Sequence, residues 1–157
     1  MDFANYGLVL AIHSTLRWLI VVAGLVATVA AWAGRLGSRS WADSTTAAGR
    51  MFAVAMDVQV VVGLILYVVL SPAVAAAMRN PANAMQDGQQ RFWMVEHPTA
   101  MILALMLAHV GVVKAKRPAG SDAHRQAARY FTLALLLVLA ALPWPFLTHG
   151  RPLLPSW

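Results

Sequence analysis

The stretch Arg91-Phe92-Trp93-Met94-Val95-Glu96-His97-Pro98, with the apolar run that follows it to His109-Val110-Gly111, sets a carboxylate, two imidazoles and a proline inside a segment otherwise fit to cross a membrane. Ionisable side chains at membrane depth are expensive, so each is expected to have a function or a buried partner. The first apolar segment supplies the candidate partners, His13 and Arg17. His13 lies seven residues into its segment and His97 seven residues into its own. If both enter from the same side, the two imidazoles share one depth, roughly 10 Å below the interface at about 1.5 Å per residue. Two histidines at one level on different helices of a bundle can take both axial positions of a b-type haem. Arg17, one turn beyond His13 on the same face, can pair with a haem propionate or with Glu96. Gly24 continues that face and would let a macrocycle approach the backbone. The bland reading of the same residues is a structural polar core, with Arg17–Glu96 or Arg17–Asp57 as an ion pair holding helices together.

A second constellation lies deeper. Asp57 and Gln59 sit in the second apolar segment, and His109 reaches a similar depth from the third. Asp57 with His109 can handle protons or bind a quinone, whose carbonyls take hydrogen bonds from His, Gln or Arg donors. Alternatively, His109 and Met56 can ligate a second haem. His109 follows His97 by twelve positions, about 120° around a helix, so the two do not share a face. Pro98 removes the helical donor for the carbonyl of Met94 and kinks the segment. Tyr67 and Trp18 read as packing or interfacial residues, and His124 and His149 as solvated imidazoles of a loop and a tail.

The elements that must position these groups follow from composition. Hydrophobic residues make up 60% of the 157 and charged residues 11%, against about 25% charged in a soluble domain. A spanning helix needs roughly 20 apolar residues, and four spans are expected, at about 6–33, 50–70, 90–114 and 126–147. The first closes at Gly34 as a cap, the second at Ser71-Pro72, and the fourth, from a start at Ser121-Asp122, closes its apolar run at Pro143-Trp144-Pro145. The longest linker, Ala73–Gln89, is expected to form a short surface helix. No basic region precedes the first apolar run, so that run is expected to be retained as a span.

Basic residues orient the spans. Arg35, Arg39, Arg50, Lys114, Lys116, Arg117, Arg125 and Arg129 fall on one side, and only Arg79, Arg91 and Arg151 on the other. The positive-inside rule makes loops 34–49 and 115–125 cytoplasmic. Two aromatic belts agree, with Phe3, Tyr6, Phe92, Trp93, Trp144 and Phe146 outside and Trp32, Trp41, Phe52, Tyr130 and Phe131 inside. The expected fold is all-α, a single four-transmembrane-helix domain over 1–157. It is an integral membrane, antiparallel four-helix bundle with both termini on the outer, periplasmic side. The +6 charge is thus a topology signal, and nucleic acid is excluded as a partner. The absence of cysteine excludes disulfides, thiolate catalysis, iron–sulfur clusters and covalently attached haem. No phosphate cradle, hydrolase triad or metalloprotease histidine pair is present.

The pattern His13-Ser14-x-x-Arg17-Trp18, Asp57-x-Gln59 with Gly63 and Tyr67, Arg91-Phe92 with Glu96-His97, His109-x-Gly111 and Pro143-Trp144-Pro145 resembles short bacterial four-span proteins labelled cytochrome b-like, over nearly the whole chain. A looser likeness runs to the cytochrome b anchors of succinate dehydrogenases and to cytochrome b561-type proteins, whose two-haem members use four matched histidines that this chain lacks. The resemblance implies haem b as cofactor and electron transport in a bacterial inner membrane. The expected function is therefore a membrane-embedded electron-transfer subunit with one haem between His13 and His97. It would be linked to quinone or quinol and to other subunits of a membrane redox complex. The alternatives are a cofactor-free accessory subunit packed against a larger respiratory or photosynthetic complex, and a haem-free quinone- or proton-handling protein.

Overall fold

The computed structural model describes residues 3–36, 42–116 and 121–154. It is all-helical, 87% helix, with no strand among the described residues. Helix α1 covers Phe3–Leu36 and α2 covers Ala42–Ile65, the latter widening into a π-helical turn at Leu66–Leu70. Three short helices follow, α3 at Pro72–Arg79, α4 at Pro81–Gln86 and α5 at Gly88–Arg91. A second π-helical turn, Phe92–Glu96, leads into α6 at His97–Ala115, and α7 covers Ser121–Ala140. The linker thus forms three short helices. Each starts on a polar cap: the side chains of Ser71, Asn80 and Asp87 accept from Val74 N, Asn83 N and Gln90 N. Pro72 and Pro81 occupy first-turn positions, where a missing donor is harmless.

Three helical stretches, Asn5–Leu36, Ser44–Leu70 and Gly88–Ala115, are long and apolar enough to cross a membrane. Only 33%, 22% and 33% of their most apolar windows are buried, so most of their hydrophobic surface faces outward, as lipid requires. Helix α7 falls short of that standard, because His124, Arg125, Gln126 and Arg129 make its first half polar. It ends at Ala140, and residues 141–147 turn instead of continuing the expected span. The first helix, by contrast, is longer than expected. Gly34 does not cap it, and the helix runs on to Leu36. The Gly34 backbone instead lies under the His124 ring, which is packed on α7 rather than solvated in a loop. Arg39, Trp41 and Arg117 of the expected loops and belts lie outside the described residues, as does the Phe3 side chain.

Helices α1 and α6 each pack along both α2 and α7. Their shared core is rich in alanine, with Ala23, Ala27, Ala104, Ala108, Ala127 and Ala134 around the larger Phe52, Met56 and Phe131. Small residues let helix backbones approach closely, which supplies van der Waals attraction where no hydrophobic effect separates helix from lipid. Two glycines complete the fit: at Gly49 and Gly111 an added Cβ would run into the Phe131 ring. Phe131 in turn meets Phe52 edge to face, with ring centres 6.3 Å apart. Polar ties cross the same seams, from Trp32 Nε1 to Thr132 Oγ1 at 3.0 Å and from Thr45 Oγ1 to the Ala30 carbonyl at 3.3 Å.

Because Phe131 is fully buried and cannot retreat, Gly111→Ala is expected to cost about 1–3 kcal/mol. It should lower the thermal midpoint of the detergent-solubilised protein. Gly7→Ala, where nothing lies within 4 Å of the new methyl, should not. Equal behaviour of the two variants would contradict this packing.

Candidate functional site

His97 opens α6 directly after the Phe92–Glu96 π-turn. The cause is Pro98, which has no N–H for the preceding turn and crowds the carbonyl of Met94. The turn widens, and the freed Met94 carbonyl accepts a hydrogen bond from the Tyr67 hydroxyl at 2.8 Å. Tyr67 itself comes from the π-turn that ends α2, so one irregular turn supplies the donor the other needs. A residue added to a helical turn rotates everything after it by about 100°. Glu96 is thereby left facing outward, paired with Arg91 at 2.6 Å, while His97 turns inward.

There His97 meets His13 of α1, with ring centres 6.3 Å apart and planes at 71°. His97 Nδ1 donates to the carbonyl of Ala141 at 2.9 Å, which fixes the tautomer and leaves Nε2 with its lone pair. The Gln59 amide holds His13 from the other side. Its nitrogen donates to the His13 carbonyl at 3.0 Å and lies 3.3 Å from His13 Nε2. His13 Nδ1 is buried without a partner. The ring lies over bare backbone at Gly63, where a Cβ would come within 3.1 Å of it.

Cavities of about 100 Å³ and about 40 Å³ flank the pair, and both histidines line both. The larger is bounded by Tyr6, Gly63 and Tyr67, the smaller by Ser14, Arg17 and Leu142. Leu10, Trp93, Met101 and Arg151 belong to both walls. Metal–imidazole bonds of about 2 Å, with about 1 Å more from nitrogen to ring centre, put two axial imidazole centres about 6 Å apart. The observed separation and the free Nε2 of His97 therefore fit a bis-imidazole iron. Ligation through His13 Nε2 would leave Gln59 its bond to the His13 carbonyl.

Other expected site residues are placed elsewhere. Arg17 is buried at 7% exposure and donates to the carbonyls of Pro152 and Leu153 at 2.7 and 2.6 Å, not to Glu96 or Asp57. Trp18 joins it on the Leu153 carbonyl at 2.9 Å. Gly24 lines neither cavity. Eleven residues on from His13, about 16 Å along the helix, its space is taken up by Phe52 and Leu135. Asp57 and His109 do form a pair, at 2.9 Å, on the outer face of α2 and α6 with half of each side chain exposed. Gln59 points away from that pair toward His13. Met56 is fully buried, so it does not share a site with the exposed His109.

Residues 143–154 fold back over the histidines. His149 stacks on Phe92 at 3.5 Å, and Arg151 lies over the Trp93 ring at 4.6 Å while donating to the Tyr6 hydroxyl at 3.4 Å. The contributions of Arg151, of Tyr67 and of the Ala141 carbonyl are not legible from residue type at membrane depth. The only signal for Arg151 is a lone basic residue in a proline-stiffened tail on the side poor in basic residues.

No family model, curated protein or solved structure matches this chain. The reading of the site rests on its own geometry.

If Tyr67 serves the Met94 carbonyl, Tyr67→Phe should destabilise the protein by about 1–3 kcal/mol, the cost of a buried carbonyl left unpaired. Amide hydrogen exchange should accelerate locally around His97. Unchanged exchange in that turn would mean the carbonyl has another donor.

Proposed function

We propose that the protein is a membrane-embedded electron-transfer subunit that holds one b-type haem between His13 and His97. It would lie in a bacterial inner membrane as an antiparallel four-helix bundle, with both termini outside and the basic loops in the cytoplasm. The observation that carries the reading is the imidazole pair at 6.3 Å with the Nδ1 of His97 tied to Ala141. Bound there, haem would supply one-electron redox chemistry. The chain's own groups do the rest. The Ala141 carbonyl and the Gln59 amide orient the imidazoles, as second-shell partners orient metal ligands.

Quinol is the redox partner that suits this setting, since it dissolves in the bilayer and releases two electrons and two protons. One site carries one electron at a time, so a further subunit must withdraw them in succession. The half-exposed Asp57–His109 pair offers a carboxylate and an imidazole to take the protons from a ligand arriving through lipid. Asp57→Asn is expected to slow quinol-driven reduction by about 100-fold or more without changing the absorption spectrum. An equal loss of the spectrum would show the residue to be structural.

The detergent-purified protein, expressed with ample haem, is expected to show a Soret band that shifts on reduction. His13→Ala and His97→Ala should each abolish the low-spin spectrum. A haem-replete preparation with no Soret band ends this proposal. One set of contacts favours a second reading, a cofactor-free accessory subunit of a larger membrane complex. Gln59, Arg17 and His97 already find protein partners. In that case the two histidine variants weaken stability or partner association and change no spectrum.

A further inference from the structure

We propose that Arg17 and Arg151 together form a recognition site for paired anionic oxygens at the tail-covered mouth of the histidine cavities. Resting on the haem reading above, we take these oxygens to be the two carboxylates of the porphyrin. Arg17 is more than nine-tenths buried, lines the smaller cavity, and spends its hydrogen bonds on neutral carbonyls. Its Nε is buried with no partner. Arg151 lines both cavities, and the described contacts of its side chain are a phenol and an indole ring, both uncharged.

Among the described residues the ion pairs are Arg91–Glu96, His109–Asp57 and Arg125–Asp122, so neither of these two arginines has a carboxylate. A guanidinium cannot shed its proton. Two fixed positive charges therefore converge beside the cavities with no carboxylate among the described residues to offset them, an arrangement that is costly without an anion and strongly attractive to one. The ligand class that answers this demand has two negative groups attached to an apolar body. The body would lie among Leu10, Ile20 and Met101, and the charges would lie at the arginines. A phospholipid phosphate is the other source of the same chemistry. Half of this site comes from the tail, so the covering segment would be part of the binding surface.

The experiment compares haem with haem dimethyl ester, whose carboxylates are masked, by Soret titration of the detergent-purified full chain. Wild type is expected to bind haem at least about tenfold more tightly than the ester. Arg151→Gln, which keeps both histidines and the Arg17 tie to the tail, should still give a Soret band but bind the two forms alike. Arg151→Lys should restore part of the preference. If Arg151→Gln discriminates as well as wild type, the assignment is overturned.

If wild type takes up no haem, the electron-transfer reading fails and the anion site is tested separately. Thermal midpoints of the haem-free protein are then compared in phosphatidylglycerol and in a neutral glycolipid that carries no phosphate. Stabilisation by phosphatidylglycerol that is lost in Arg151→Gln supports the site with a lipid phosphate as its ligand. No difference between the lipids overturns it.

Discussion

A proline in an apolar helix leaves one carbonyl without its helical donor, and the site depends on how that deficit is met. Unsatisfied backbone groups cost several kcal/mol in a hydrocarbon setting, so the chain must supply a donor from within. Here the donor is the Tyr67 hydroxyl, and the helix accommodates Pro98 by widening at Phe92–Glu96. The widened turn decides which neighbour faces in. Without it Glu96 and His97 would each sit one residue out of phase, and the imidazole would not face His13. A backbone requirement thus sets the direction of the side chain that matters most.

The rest of the molecule keeps that arrangement rigid. An alanine-lined core with Phe131 seated against Gly49 and Gly111 holds the helices close. Polar residues inside are few and mostly engaged: Gln59 with His13, Arg17 with the tail, Thr45 with Ala30. The two imidazoles therefore meet across a close-packed frame.

Much of this could be read from the residues. Long apolar runs define the three helices able to cross a membrane, because length and composition are properties of each segment alone. The matched positions of His13 and His97 forecast their meeting, since equal counts from the interface give equal depth on any two straight helices. The same counting placed Asp57 beside His109. What it missed was direction and company. Gly24 shares a helix face with His13 on a helical wheel, yet it is eleven residues away and packs against Phe52. Arg17 looked like a partner for Glu96, but the π-turn carries Glu96 out to Arg91, and the returning tail claims Arg17 instead. Helix α7 stops at Ala140, short of the expected span, because Pro143 and Pro145 turn the chain, and its first half is polar. Tail-to-helix contacts 135 and 136 residues apart in sequence have no local signature at all.

The way the tail is fastened carries its own consequence. Arg17 and Trp18 grip main-chain carbonyls at Pro152 and Leu153, and the Arg151 amide returns to the carbonyl of Pro143. None of these clasps reads the side chains at 152–154, so they measure distance along the backbone and are indifferent to most spelling. Related chains built on this plan should drift freely in the letters of that segment while conserving the number of residues between Pro143 and Arg151. One residue gained or lost there would slide the guanidinium off Trp93 and unseat the cover.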